Sequence, residues 1–313
     1  DQVCTSNPSI FSGSGELYLG DAFRNVPRLR GTVCEPLYLG NYLLLLWPLL
    51  LVVDWSRRRR FLAGAALLSL LLATWSRGAW LGFLIQLLLA AVLLVVRRHP
   101  GAGARWEWSS RRWRWWLVGL AVLLVGLPLA ATVTGWDGLL FPYRRLAQTF
   151  SGQDWSNLTR LYSMQAGWRA FLLSPLVGVG WGQFAWHFPL LVDPMGLQSQ
   201  FTWPVVNNFP LQVLCETGLA GFTVFAVWSL GLVRGLLLRT HPGVGTWASS
   251  GGEGNQTVPL AVLLALVGVW CQLLTFSQYN LPHIWIPVGL ALAAVAEIRP
   301  DQDGASPTGR GSS

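Results

Sequence analysis

Arg77 stands in a short turn, Trp75-Ser-Arg-Gly78, that separates the apolar runs Phe61–Ser76 and Gly78–Val96. A charged residue between two membrane segments is costly unless it is used. A guanidinium group binds phosphate oxygens in pairs, which is the chemistry that an arginine offers at this depth. We therefore predict a functional role for Arg77. The alternative is an interfacial arginine that extends its charge toward the lipid headgroups.

The longest polar and aromatic stretch of the chain, Asp137–Asn208, holds most of the other candidate residues. A membrane protein that keeps one large loop usually carries its chemistry there. Within it, Asn157–Leu173 has helical spacing, Ser156 or Asn157 can cap its start, and Pro175 ends it. Arg160 lies in this helix, and the alternative to a functional role is a solvated loop charge. The loop side chains that we predict to contact substrate are Arg144, Arg145, Arg169, His187 and Asn208.

The apolar residues of the predicted loop helix follow one stripe. This stripe could lie on the membrane surface or pack against the spans. Its members are Leu158, Leu161, Tyr162, Gln165, Trp168 and Leu172.

A glycine-rich stretch, Gly178-Val-Gly180-Trp-Gly182, follows Pro175. It is not a dinucleotide fingerprint, because no strand precedes it. We predict a tight loop that brings the backbone N–H groups near Gly178, Gly180 and Gly182 close to a bound group such as an anion. A plain turn between two surface helices is the alternative.

Glu216 is an acid at the start of an apolar span, in a helix that we expect to begin near Pro210. A buried carboxyl at this depth could act as an acid or pair with an arginine. Pairing with the positive end of the helix is the alternative.

The composition indicates a membrane protein, since the 313 residues are 52% apolar and only 12% charged. A soluble domain could not cover so much apolar surface. We predict an all-α, polytopic transmembrane bundle of about seven spans with one large, partly helical periplasmic loop. The last apolar run is too long for one span and splits at Asn280-Leu-Pro-His283. The predicted spans are Pro36–Val53, Phe61–Ser76, Gly78–Val96, Trp115–Trp136, Thr217–Val233 and the two halves of Gly254–Ala296.

Five segments follow from these runs: an N-terminal periplasmic segment 1–38, four spans in 39–136, the loop 137–208, three spans in 209–298 and a disordered cytoplasmic tail 299–313. Positive charge marks cytoplasmic loops. Arginine clusters lie at 57–60, 97–114 and 234–239, and Arg299 begins the tail. These basic segments alternate along the chain with the remaining loops, so the large loop faces the side opposite the cytoplasm. In a bacterial inner membrane that side is the periplasm. The odd number of spans and the absence of an initiating Met suggest that further sequence precedes Asp1.

All 22 basic residues are arginine, and the net charge is +8. Genomic base bias explains this better than phosphate binding does, and no nucleic-acid motif accompanies the charge, so we expect no nucleic-acid partner. The four cysteines form no Cys-x-x-Cys pair, and we expect neither a metal nor a cofactor. Cys4 and Cys34 could form a disulfide or stay free. Cys215 and Cys271 are typical of small apolar residues in helices.

Four stretches, taken together, resemble the O-antigen ligase and O-antigen polymerase superfamily. Each is weak alone, but their order, spacing and predicted side of the membrane agree over nearly the whole chain. They are Arg30-Gly-Thr32 with Glu35-Pro36 and Asn41; Thr74-Trp-Ser76-Arg77-Gly78; Arg160, Trp168, Pro175 and Gly178–Phe184; and Asn208 with Leu211, Glu216, Gly218, Leu219 and Gly221.

The resemblance implies a metal-independent membrane glycosyltransferase. Such an enzyme moves a glycan from undecaprenyl diphosphate to a lipid A–core or other polysaccharide acceptor on the periplasmic side of the lipid bilayer. The leaving group is a lipid diphosphate, so catalysis needs cations that stabilise developing charge. By this resemblance Arg77 and Arg160 would bind the diphosphate, Asn207 would hold the acceptor side, and Glu216 completes the predicted catalytic set.

One position departs from the family pattern. Family ligases usually carry a histidine immediately before Asn208, and this chain has Asn207 there. An amide donates and accepts hydrogen bonds but takes no proton near neutral pH. Either no base is needed at this point, or another group supplies it (His187 in the loop is one option), or ligase activity is lost. The alternatives are therefore an O-antigen polymerase, a non-enzymatic transporter on the same fold, or a non-catalytic partner in polysaccharide assembly.

Overall fold

A computed structural model describes residues 28–31, 35–96, 140–147, 155–192, 204–240 and 257–296. These residues form helices and connecting turns, and no strand occurs among them. The helices are α1 (Pro36–Leu49), α2 (Arg57–Ala73), α3 (Arg77–Val96), α4 (Phe141–Ala147), α5 (Trp155–Leu173), α6 (Phe184–Val192), α7 (Phe209–Thr240), α8 (Thr257–Gln272) and α9 (Pro282–Ala296).

Helices occupy the positions of six of the seven predicted spans, and the run after Gly254 divides where expected, with α8 ending at Gln272 and α9 beginning at Pro282. The seventh, Trp115–Trp136, lies outside the described residues, as do Cys4, Cys34 and the tail. The all-helical class is thus confirmed for the described part of the chain. Among these helices, α7 is long and apolar enough to cross a membrane, while Arg77–Leu93, α8 and α9 are apolar but shorter.

α8 is the centre of the bundle and packs against α1, α3, α7 and α9. Its residues from Leu260 to Leu266 are all buried. Three amides join it to its neighbours: Gln86 Nε2 donates to the carbonyls of Leu44 and Leu264, at 2.8 and 2.9 Å, and Asn41 Nδ2 donates to Gln272 Oε1 at 3.2 Å. Buried amide hydrogen bonds of this kind fix the relative register of helices.

α5 packs on α7 and α6 through its small residues, Ser163, Ala166, Gly167 and Ala170, which are all buried. A Cβ at Gly167 would lie 2.8 Å from Val206 Cγ1, so the absence of a side chain permits this close approach. The predicted apolar stripe lies on the other side of α5. Leu161, Tyr162, Trp168 and Leu172 are exposed, so within the described residues the stripe does not pack against the spans.

α7 is broken at Gly218, which has φ 64° and ψ −169°. The sequence predicted a continuous helix from near Pro210 into a span, and the Gly218 break divides it into two parts. A break in a helix leaves backbone carbonyls before it and N–H groups after it without their usual intrahelical partners. These groups are paired by the chain segment that follows α5.

Candidate functional site

The turn that carries Arg77 is fixed by its neighbours. Thr74 Oγ1 donates to the carbonyl of Leu71 at 2.7 Å and accepts from the N–H of Ser76 at 3.2 Å. Ser76 Oγ accepts from the N–H of Ala79 at 3.4 Å, which places it at the start of α3. Both hydroxyl residues are buried. Arg77 is half-buried and is the first residue of α3, so its side chain extends from a turn that these hydrogen bonds hold rigid.

Arg77 contacts the first turn of α5. Its Nη2 donates to Asn157 Oδ1 at 3.1 Å, across 80 residues of sequence. The sequence suggested that Ser156 or Asn157 caps this helix, but α5 begins before both, at Trp155, and the Asn157 carboxamide binds the arginine instead. One turn further along α5 stands Arg160, which is half-buried.

One more turn along α5 lies Ser163, which contacts Asn207. Ser163 Oγ accepts from Asn207 Nδ2 at 3.3 Å and donates to the carbonyl of Thr159 at 2.8 Å. Helix positions three apart share a face. We call the side of α5 that carries Asn157, Arg160 and Ser163 the arginine face. On this face Arg160 lies between Asn157, which binds Arg77, and Ser163, which binds Asn207.

Asn207 adopts a left-handed backbone conformation, with φ 60°. Asparagine tolerates this region better than most residues. Its N–H donates to Ser277 Oγ at 3.1 Å, which ties it to the turn between α8 and α9. Its Nδ2 donates to Ser163 and to the carbonyl of Val205 at 3.4 Å. Within the described residues the amide nitrogen is therefore engaged, and the amide oxygen is the group left to accept a hydrogen bond.

Asn208, predicted from the sequence to bind substrate, is engaged within the fold. Its Oδ1 accepts from the N–H of Leu211 at 3.0 Å, which caps the start of α7, and its Nδ2 donates to the carbonyl of Leu274 at 3.1 Å. Its contact with substrate stays a prediction.

The glycine loop, residues Pro175–Gln183, pairs with the Gly218 break. The N–H groups of Val179 and Gly180 donate to the carbonyls of Cys215 and Glu216, at 2.9 and 3.0 Å. In return, the N–H groups of Leu219 and Ala220 donate to the carbonyls of Pro175 and Leu176, at 2.8 and 3.1 Å. The four backbone groups exposed by the break are therefore satisfied by the loop.

Two glycines allow this pairing. Gly178 and Gly218 both have positive φ, at 73° and 64°. A Cβ on either would fall well inside van der Waals contact with backbone atoms of the facing segment, those of Glu216 and Leu176 respectively. Gly182 also has φ 73°, but a Cβ there would meet nothing within 4 Å. The expected substrate contacts of Gly178, Gly180 and Gly182 stay predictions, and the N–H of Gly180 is already used within the chain.

Glu216 lies beneath the glycine loop and is only 1% exposed. Its Oε1 accepts from Gln212 Nε2 at 3.3 Å. The backbone N–H groups of Gly182 and Phe184 stand near the carboxylate, and Oε2 has no hydrogen-bond partner in the described part of the chain. The glycine loop and the acid predicted at the start of the span are thus neighbours, and the bound group predicted near the loop stays a prediction.

The loop also contacts the turn between α8 and α9. The rings of Trp181 and Tyr279 lie with centroids 4.9 Å apart. Burial, and then the nearby carboxylate of Glu216, raise the pKa of the Tyr279 hydroxyl, which therefore stays protonated at neutral pH.

The structure places the predicted residues in two groups along α5. Asn157 and Ser163 of the arginine face bind Arg77 and Asn207 respectively, with Arg160 between them, whereas Glu216 pairs through its backbone with the glycine loop that follows α5. Of the remaining residues, Arg169 Nη1 donates to the carbonyl of Leu191 at 2.7 Å and joins α5 to α6. His187 is half-buried in α6. Arg144 and Arg145 belong to α4, where Arg144 is exposed.

Sequence reasoning missed the three residues that organise this site, Asn157, Ser163 and Ser277. A small polar residue at helical spacing from Arg160 was the available signal for the first two, while Ser277 carries no local signal. No three His, Cys, Asp or Glu side chains come together to form a metal site in the described part of the chain. Cys215 is buried and Cys271 half-buried, and both are free thiols.

Comparison with known proteins gives one family match. Residues 62–226, more than half of the chain, match the family model described as O-antigen ligase (Wzy_C). The matched region runs from α2 into α7, so it contains Arg77, the whole arginine face, Asn207 and the Gly218 break. No curated protein and no solved structure matches the chain.

Proposed function

The chain belongs to the O-antigen ligase family, and we propose that it is a membrane glycosyltransferase that moves a glycan from undecaprenyl diphosphate to an acceptor. We place the reaction on the periplasmic side of a bacterial inner membrane, with lipid A–core or another glycan as acceptor. The observation that supports this most directly is the position of Arg160 on α5, between Asn157, which binds Arg77, and Ser163, which binds Asn207.

Arg77 and Arg160 are the cations of the proposed donor site. The bond that breaks joins the sugar to the diphosphate, so negative charge grows on the diphosphate oxygens as it leaves. Guanidinium groups held in place before the reaction stabilise that charge without reorganising. The hydrogen bond from Arg77 to Asn157 and the buried turn behind Arg77 provide this fixed position.

Asn207 is the proposed acceptor-side residue. Its amide nitrogen is held by Ser163 and Val205, which orients the amide oxygen. That oxygen can accept a hydrogen bond from an attacking hydroxyl and orient it, but it does not take up the proton near neutral pH. We infer that Asn207 positions the acceptor and that deprotonation of the hydroxyl occurs elsewhere, for instance as the proton moves to the departing diphosphate.

Glu216 fits a supporting role in this scheme. It is buried under the glycine loop, and its carboxyl accepts from Gln212 of the same helix rather than from a residue of the arginine face. A carboxylate near the N–H groups of Gly182 and Phe184 would hold the start of α6 against α7. We therefore assign Glu216 to positioning the loop rather than to the reacting atoms.

The test is transfer in vitro with the full-length protein and an undecaprenyl-diphosphate glycan. Two acceptors, lipid A–core and a second lipid-linked glycan, distinguish a ligase from a polymerase. Arg160→Ala should abolish product with either acceptor, and Gln165→Ala, an exposed change on the same helix, should leave it unchanged. Carrier binding without transfer would point to a non-enzymatic partner, and no binding at all would favour a transporter.

A further inference from the structure

One face of α5 and the turn after it expose a largely apolar surface, interrupted by the exposed side chains of Gln165 and Arg169. Leu161, Trp168, Leu172 and Leu173 are at least half exposed, and Leu176 and Val177 are each 70% exposed. Monomeric soluble surfaces rarely leave such a patch uncovered, and patches of this kind mark sites of protein or membrane contact. The opposite face of α5 is already covered by α7 and α6.

The Gly218 break sets the depth of this surface. From Leu219 to Thr240, α7 is helical and has roughly the 20 residues needed to cross a bilayer. Its first N–H groups, those of Leu219 and Ala220, are bound by the carbonyls of Pro175 and Leu176. Within lipid, backbone groups must find partners inside the protein. The turn at Leu176 therefore lies at the same depth as the first residues of the span.

The exposed surface continues from the turn into the span. Leu219, whose N–H donates to the carbonyl of Pro175 next to Leu176, is 47% exposed, and Val224 and Val227 farther along α7 are more exposed still. On α5 the patch is interrupted by Arg169, a cation of the type that suits the phosphate level of a membrane. A surface that joins the lipid-facing side of a span at its edge is most simply covered by the same lipid.

We propose that this surface lies in the adjoining leaflet of the bilayer, with Leu176 and Val177 reaching the acyl chains and Leu161, Trp168, Leu172 and Leu173 along the headgroup boundary. α5 is then an in-plane membrane helix. This inference requires that the chain spans a membrane, as its family does, and is independent of the reaction assigned above. As a consequence, the arginine face is held close to the level of lipid phosphates.

A photocrosslinking experiment tests the proposal without altering the native cysteines. Benzoylphenylalanine is introduced at Leu176, at Val177 or, as the control in the same loop, at the exposed polar residue Gln183. The protein is placed in nanodiscs of phosphatidylethanolamine and phosphatidylglycerol and irradiated. We expect phospholipid adducts at positions 176 and 177, at least fivefold more than at 183. Crosslinks to a second copy or to another part of the chain, or equal adducts at all three positions, would overturn it.

A second measurement covers the case in which the bulky probe disturbs the loop. Leu176→Cys and Gln183→Cys are labelled with an environment-sensitive fluorophore, in a background whose native cysteines are replaced and whose thermal unfolding is unchanged. Lipids that carry a nitroxide on the acyl chain should quench the label at 176 strongly and the label at 183 weakly. Equal, weak quenching at both positions would show that the turn is outside the hydrocarbon and would refute the proposal.

Discussion

Replacement of Gly218 by alanine should destabilise the protein by about 2–6 kcal/mol. With φ 64° and ψ −169°, Gly218 occupies a region that is essentially restricted to glycine and costs other residues about 1–3 kcal/mol. The added Cβ would also overlap the backbone carbonyl of Leu176, and no side-chain rotation can relieve a clash with backbone. Overpacking of this kind adds about 1–3 kcal/mol.

Gly231→Ala is the matched control, because Gly231 belongs to the same helix and a Cβ there meets nothing within 4 Å. Alanine is favoured over glycine inside a helix by about 0.8–1 kcal/mol, so this variant should be as stable as the wild type or slightly more so. Unfolding of both variants is followed in one detergent, as the unfolding midpoint and as the half-life at fixed temperature. If the two variants unfold alike, the pairing between the glycine loop and the Gly218 break contributes little, and the reasoning fails.

Three further outcomes follow from the site. Arg77→Lys should lower the kcat/KM of transfer at least about tenfold at unchanged stability, because an ammonium group cannot reproduce the paired contacts of a guanidinium; full activity would count against the bidentate role. Asn207→His should fold normally, because histidine also tolerates positive φ. The transfer activity of this variant should rise with pH through about 6.5, as the imidazole loses its proton and becomes a base. A flat pH profile would exclude a base at this position. Glu216→Gln keeps an acceptor for Gln212 but turns an NH2 group toward the N–H groups of Gly182 and Phe184, so it should lower the unfolding midpoint while the folded variant retains transfer; a folded variant without transfer would return Glu216 to the catalytic group.

The sequence predicted the helices well because long apolar runs bounded by polar turns are a local signal. The last run divides into α8, which ends at Gln272, and α9, which begins at Pro282 within the predicted break, and the predicted loop helix from Asn157 to Leu173 corresponds to α5, Trp155–Leu173. The apolar stripe on that helix was also located correctly, but periodicity could not decide whether the stripe packs against the spans or lies on the membrane surface. The small residues on the other face, such as Gly167, gave the better signal for helix packing.

The contacts that build the site could not be predicted in the same way. The pairs Arg77 with Asn157 and Asn207 with Ser163 join positions far apart in the chain, and no local pattern links them. The Gly218 break was missed because a lone glycine in an apolar helical pattern is compatible with an unbroken helix. The break is stabilised by backbone pairing with the loop that contains Gly178, and this loop lies in a distant, earlier part of the chain. The predicted domain boundaries remain predictions.

The pairing of the glycine loop with α7 also bears on the order in which the protein is made. The ribosome synthesises the loop before α7, so the carbonyls of Pro175 and Leu176 already exist when Leu219 and Ala220 emerge. In the proposed membrane arrangement, the second part of α7 therefore enters the bilayer when partners for its first N–H groups have already been synthesised. A nascent chain released before Gly218 would hold a loop without its partner, and such a fragment should be an early substrate for membrane proteases.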